Sequence, residues 1–305
     1  MITAEATHIR QPRFMTGQSI MVERTALDIT HLREWIGRTE TRSDQITLAP
    51  MMALSATLDR EEGAPQAGDP LPAPWHWLYF LPIHRQSELA PDGHVERGGF
   101  LPPVPLPRRL WAGDRLEFHH PLYAGDSITR ISRILDVHLK EGRTGPLVFV
   151  SVRHEVSNAA GLALVEEHDI VYRGPAAAPP DPPSAPSDAV WQREIRTDEV
   201  FLFRYSALTF NGHRIHYDRR YATEKEGYPG LVVHGPLIAT LLLDLLRRNL
   251  PEATLKWVQF RAVSPLFDVV SFRVCGKREA DGKAIRLWAQ NEAGGLAMDA
   301  TAKIL

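Results

Sequence analysis

From Leu237 to Leu246 the chain reads LIATLLLDLL, apolar on nearly every side, until Arg247, Arg248 and Asn249 supply positive charge and a stop. This predicts a helix buried all round and wrapped by sheet, not one laid on a surface. His234-Gly235-Pro236 opens it, with proline suited to a first helical turn. Ala49-Pro50-Met51-Met52 to Leu58 predicts a shorter helix with the same proline-led start. Ahead of it, Ile29 to Arg38 is amphipathic through Leu32, Trp35 and Ile36, with Asp28 or Thr30 as cap.

Strand-like stretches follow each helical region, and they resemble one another. PLYAGDSI (Pro121 to Ile128) matches PLFDVVSF (Pro265 to Phe272), and NAAGLALVEEHDIVY from Asn158 matches NEAGGLAMDATAKIL from Asn291. In each half a strand, a polar turn (Glu141-Gly142-Arg143-Thr144-Gly145 or Ala280-Asp281-Gly282-Lys283), a second strand, an Asn-led turn and a last strand follow in order. The pattern predicts a duplicated β-meander, and with the helices one helix cradled by a curved antiparallel sheet, twice over. Between the halves, Gly174 to Asp188 holds six prolines and four alanines, the composition of an extended spacer. The expected organisation is therefore an N-terminal domain over 1–173, a linker over 174–188 and a C-terminal domain over 189–305.

Composition narrows the function. The 305 residues carry 35 Lys and Arg against 37 Asp and Glu, a net charge of -2, so no long-range field favours a polyanion and nucleic acid is not the expected partner. Only Cys275 is present, which excludes an internal disulfide and a zinc site built on several thiolates. A reducing cytoplasm is the natural compartment. MITAEATHIRQPRF at the N-terminus has no apolar run of signal-peptide length, and Leu237 to Leu246 is too short to cross roughly 30 Å of hydrocarbon, so no membrane association is expected.

The densest polar cluster is YSALTFNGHRIHYD, Tyr205 to Asp218, where Asn211, His213, His216 and Asp218 fall in an otherwise apolar, aromatic stretch. As a loop followed by a helix start at His234-Gly235, it sets imidazoles beside unpaired backbone N–H donors, the pairing that acid/base chemistry on a carbonyl compound needs. A capped turn with surface histidines is the simpler reading of the same spacing. His213-x-x-His216 with Asp218 is also a ligand set for a metal, although no helical HExxH context accompanies it.

YSALTFNGHRIHYD followed by YPGLVVHGPL resembles the active-site segment of the MaoC-like hydratases and dehydratases. The similarity is to the double hot-dog branch that includes 3-hydroxyacyl-thioester dehydratase and the mesaconyl-C4-CoA and itaconyl-CoA hydratases. APWHWLYFLP (Ala73 to Pro82), the loop from Gly98 to Pro107 and PLYAGDSI resemble that branch's degenerate N-terminal hot dog, so the resemblance covers nearly the whole chain. It implies an α+β double hot-dog fold, two curved antiparallel sheets each wrapping a central helix, assembled as a homo-oligomer such as a dimer. It further implies a hydro-lyase that adds water reversibly to an α,β-unsaturated acyl-CoA, a short dicarboxylic one of the mesaconyl-C4-CoA or itaconyl-CoA type, with the CoA thioester as substrate and with no metal and no cofactor.

Carried over residue by residue, the family's catalytic His matches His216, its Asp position is occupied here by Asn211, and its backbone oxyanion donor matches Gly235. Because an amide is no base, His216 carries the proton with Asn211 orienting water, or His213 or Asp218 shares the load; His234 is support. Arg214, between the histidines, or Arg261 would bind the free carboxylate of a short dicarboxylic acyl group, and Tyr205 would complete the substrate contacts. Pairing of Arg214 with Asp218 or Glu224 is the bland reading of that guanidinium. A 3-hydroxyacyl-thioester dehydratase of fatty acid synthesis, a thioesterase on the same fold and a silent acyl-CoA binder are the alternative functions. Elsewhere Trp75, Trp77, Tyr79 and Phe80 are expected to pack around the first helix or line an acyl tunnel, and Cys275 to act as a small core side chain. Arg108 and Arg109 are expected to meet CoA phosphates or to sit as a solvated surface pair.

Overall fold

The computed structural model describes residues 27–142, 145–175 and 181–305. Residues 1–26, the turn tip Arg143-Thr144 and positions 176–180 of the proline-rich spacer, on which three of the expectations above bear, lie outside the described residues.

Among the described residues ten strands form one antiparallel sheet. In chain order they are β1 (Thr39–Gln45), β2 (Arg108–Phe118), β3 (Ser127–Gly142), β4 (Gly145–Asn158), β5 (Gly161–Arg173), β6 (Trp191–Ile195), β7 (Leu255–Ala262), β8 (Phe272–Arg278), β9 (Ala284–Asn291) and β10 (Leu296–Ile304). Their order across the sheet is β1-β3-β4-β5-β2-β7-β10-β9-β8-β6. Read outward from the centre, β2-β5-β4-β3-β1 has its counterpart in β7-β10-β9-β8-β6, so the two halves repeat one connectivity about the β2/β7 seam. Gly113 to Glu117 pair there with Arg261 to Trp257. The meanders turn where their polar residues predict, at Asn158/Gly161 and Asn291 to Gly295, and from Glu279 to Ala284.

The described residues also form three α-helices: α1 (Leu48–Thr57), α2 (Glu199–Leu208) and α3 (Gly235–Asn249). All ten residues from Leu237 to Leu246 in α3 are buried, and the helix packs on β6, β8 and β9 of its own half and on β2 of the other. A helix apolar all round is stable only in such an enclosure, since each large side chain kept from water contributes about 1.5–3 kcal/mol. The first half's helix is shorter, and its buried Met51, Leu54 and Leu58 join the same core as Leu241, Leu242 and Val258. The amphipathic stretch from Ile29 condenses to a 3-10 turn at His31–Trp35, with Leu32 buried and the Asp28 carboxylate accepting from Thr30 N–H. Gly37 N–H already bonds Ile134 of β3 and β1 begins at Thr39, which leaves no chain for a longer helix.

The two halves are also joined through charge. Asp244, buried on α3, accepts from Arg193 at 3.1 Å, Arg248 at 2.7 Å and the first-half Arg60. Cys275 is buried, as its place in a strand predicts. Trp75, Tyr79 and Phe80 are buried in the main core. Among the described residues no helix is long and apolar enough to cross a membrane.

Candidate active site

The motif's opening residues are helical and not loop. Asp198 caps α2 by accepting from Phe201 N–H at 2.8 Å, and Tyr205 lies in the last turn of that helix. Phe210 follows with φ +50°, a left-handed residue that turns the chain back so that Asn211 N–H reaches Ser206 O at 2.8 Å. Asn211 Oδ1 then accepts from His213 N–H at 3.0 Å, and a 3-10 turn over Arg214–His216 presents the second histidine.

His216 is 7% exposed, and its Nδ1 lies 2.7 Å from Val232 O. A carbonyl only accepts, so Nδ1 carries the proton and Nε2 is left with a free lone pair. Burial pushes the imidazole pKa down to about 4, against the pull of that carbonyl, so the ring is neutral at neutral pH. His234 stacks on it with centroids 3.7 Å apart, and its own Nε2 meets Ser206 Oγ at 2.8 Å. Two protonated rings at that spacing would repel; burial, then His216, holds His234 well below the ordinary value. Gly235 begins α3 directly after His234, with its N–H in the first turn where no intrahelical acceptor exists.

The first half contributes two pieces that sequence reasoning missed. The Pro91-Asp92-Gly93-His94 turn docks on the motif, with Arg214 N–H bonding Asp92 O at 2.9 Å. Gly93 and Gly212 approach so closely that a Cβ on Gly93 would meet Gly212 O at 1.8 Å. This sets the His94 ring 4.1 Å from that of His213, which in turn lies edge-on to His216 at 5.4 Å. His94 Nδ1 is 3.0 Å from Asp92 Oδ2. Burial first, then its histidine neighbours, lowers the pKa of His213. The second piece is Trp111 of β2, which lies over Gly235: a Cβ there would meet its Cε3 at 2.4 Å. Its indole N–H donates to buried Asp114 at 2.5 Å, and Asp114 is 2.8 Å from His168 Nδ1. Burial opposes the charge on His168, yet the Asp114 carboxylate raises it to about 9. A Pro-Asp-Gly-His turn was the only local signal of the first piece; nothing local marks Trp111.

Several residues expected to meet substrate are engaged elsewhere. Arg214 pairs with Asp218 at 2.7 Å, stacks on Tyr221 and bonds Pro91 O, and Asp218 also accepts from Tyr221 N–H, so both belong to the motif's scaffold. Arg261 is on the outer face of the sheet, 63% exposed along its side chain and 3.6 Å from Asp299. Tyr205 is 2% exposed in the core and meets His234 edge-on, which puts it behind the site with no surface for substrate. Alternate burial along β7 explains Arg261, since Val258 and Phe260 take the inward positions.

The metal set of His213, His216 and Asp218 is likewise not assembled, because Asp218 is turned to Arg214 and His216 Nδ1 to Val232. Asp92, His94 and His213 instead offer donor atoms all within 4.8 Å of one another, as do Asp114, Glu166 and His168. In both groups the carboxylates already hold imidazole hydrogen bonds, and Glu166 is bonded to His76 and to the Trp77 indole at 3.0 Å each.

Comparison with known proteins gives a consistent picture. The family model for hydroxyacyl-thioester dehydratase type 2 matches residues 74–268. A Chloroflexus aurantiacus protein named mesaconyl-C(4)-CoA hydratase is 48% identical over 273 residues, covering 88% of this chain and 96% of the relative. The mitochondrial hydroxyacyl-thioester dehydratase type 2 of Schizosaccharomyces pombe is 27% identical, covering 80% and 88%. Among solved structures, HtdX of Mycobacterium tuberculosis superposes with a TM-score of 0.61 at 20% identity, over 88% of this chain and all of that one. A second M. tuberculosis protein, described as a double hotdog, gives 0.54 at 15% identity over 88% and 96%.

Proposed function

The chain belongs to the hydroxyacyl-thioester dehydratase type 2 family, hydro-lyases of acyl thioesters, and we propose that it adds water reversibly to a short dicarboxylic enoyl-CoA of the mesaconyl-C4 or itaconyl type. The observation that carries this reading is the pairing of a neutral buried imidazole, His216, having a free Nε2, with a helix-start N–H at Gly235. Substrate choice is supported by the relative sharing 48% of its residues.

In an enoyl thioester, polarising the carbonyl makes the β-carbon electrophilic. Gly235 N–H, reinforced by the α3 dipole, binds the thioester oxygen as enolate charge develops. His216 Nε2 takes a proton from the attacking water, oxygen joins Cβ, and the enolate collapses as that proton is returned at Cα. Asn211 orients the water, and His234 holds the His216 ring plane by stacking while Ser206 holds His234. Read backwards, the same steps release water from a 3-hydroxyacyl thioester. Water and an alkene exchange no electrons, so the reading needs no redox cofactor, and the acid/base work is done by imidazole.

Under this reading the protein works in the cytoplasm, in line with its one buried thiol. The exposed apolar side chains Val200 and Phe203 on α2 and Phe210 after it support a homo-oligomer, which a monomeric mass by light scattering would contradict. The functional test is hydration of mesaconyl-C4-, itaconyl- and crotonyl-CoA by the purified protein, followed as loss of enoyl absorbance with product mass. Turnover of none of the three refutes the reading; free CoA without hydration would make the protein a thioesterase.

A further inference from the structure

Arg109 sits on β2 two positions before Trp111, and residues at that spacing point to one face of a strand. Their cross-strand partners, Tyr172 and Ile170, are both buried, so the shared face is the inner one. Trp111 covers Gly235, and one pleat further, about 7 Å along the strand, Arg109 lies on the same face, near enough to His94 and His213 for its charge to act on both. Burial, with the Arg109 charge next in weight, keeps His94 below the ordinary imidazole range, and the same charge contributes at His213.

Neighbouring cations are engaged. Arg97 is spent on the carbonyls of Val104, Leu106 and Pro107, Arg108 pairs with Glu226 at 2.8 Å, and Arg214 pairs with Asp218. Among the described residues no carboxylate comes within ion-pair distance of Arg109. Beside it the Tyr172 hydroxyl, in a fully buried residue, faces the Arg109 guanidinium and finds no acceptor for its own proton among the described residues. A half-buried guanidinium and a buried phenol, both donors and both without an anion, are the complement of a carboxylate.

The proposed chemistry fixes where that carboxylate would be. With the thioester oxygen at Gly235 N–H and the β-carbon at His216, a substituent on the β-carbon extends past His216 toward His213, His94 and Arg109. The imidazoles there are neutral, so they supply hydrogen bonds and no charge. We propose that Arg109, with the Tyr172 hydroxyl, is the subsite for a carboxylate borne on the β-carbon of the acyl group, and that it selects dicarboxylic enoyl thioesters over plain ones. This rests on the hydratase reading and replaces Arg214 and Arg261 as the specificity residue.

Two measurements separate the subsite from the reaction. Succinyl-CoA and butyryl-CoA are unreactive toward hydration and differ at the β-carbon by carboxylate against methyl. Calorimetry should show the wild type binding succinyl-CoA the more tightly, with the preference falling on the order of 10²-fold in Arg109→Met, roughly tenfold in Tyr172→Phe, and by an intermediate factor in Arg109→Lys, which keeps the charge and loses the fork. In turnover, the kcat/KM ratio of mesaconyl-C4-CoA to crotonyl-CoA should fall by the same order in Arg109→Met. A wild type with no preference for succinyl-CoA, or equal losses on both ligands, overturns the proposal, and butyryl-CoA binding reports whether each variant is folded. A wild type that prefers succinyl-CoA but hydrates no thioester would sustain the subsite and sink the hydratase reading.

Discussion

Replacing Gly235 by alanine tests the contact between the two halves of the site. The added Cβ would lie 2.4 Å from Trp111 Cε3 and 3.1 Å from Cδ2 and Cζ3. The shortest of these is about 1 Å inside ordinary van der Waals contact. Trp111 cannot simply swing away, because its indole N–H is held by Asp114, itself 1% exposed and bonded to His168. The start of α3 must therefore move, and the φ of Gly235 is not in the left-handed region, so the ring contact alone is the cause. Overpacking of this kind costs about 1–3 kcal/mol, offset in small part by alanine's better helix propensity. A shift near 1 Å in the donor N–H lowers kcat about 10²-fold. The assay is enoyl-CoA hydration together with the urea midpoint, in a cycle with Trp111→Leu, which removes the obstructing ring. The cycle subtracts the cost of leaving Asp114 with one partner fewer, so a coupling of about 1–2 kcal/mol in favour of the double variant is the expected signature. Wild-type kcat and midpoint in Gly235→Ala, or strictly additive effects, would refute the placement of Trp111 over the donor.

Three further predictions follow from the same geometry. His216→Ala should lower kcat by roughly 10² to 10⁴ while Asn211→Ala costs less, since accepting the proton contributes more than orienting water; a larger loss at Asn211 would reverse their roles. With the His216 pKa pushed down to about 4 by burial, kcat/KM of the free enzyme should hold level above about pH 5 and fall only as pH drops through about 4, when protonation removes the base; an acid limb near 6.5 would assign the base to another group. Asp244→Ala should destabilise the fold by about 3–5 kcal/mol in urea, because it leaves Arg60, Arg193 and Arg248 around a buried position without their shared acceptor, whereas a loss under 1 kcal/mol would mean the arginines find other partners.

Much of this protein is legible along the chain because its signals are local. A ten-residue apolar run can only be an enclosed helix, and proline at its start and arginines at its end mark where it begins and stops, so α3 follows from Leu237 to Leu246. The matched meanders and their polar turns announce the duplication, and the Asn211 to His216 spacing marks the candidate site. Local signals do not reach across the sheet. Whether Arg109 or Arg261 faces the interior depends on strand register, where one residue of slip exchanges the two faces, and that register is set by packing of Val258, Phe260 and Tyr172 against the cores. Tyr205 reads as a site residue because it begins a polar motif, yet the Asp198 cap continues the helix through it and turns its ring into the core. His94 and Trp111 belong to the other half of the chain, more than 100 residues from the histidine and glycine they touch. Only the closing of the β2/β7 seam, driven by burial of one shared core, brings them there, so the candidate residues of the motif were local information and their surroundings were not.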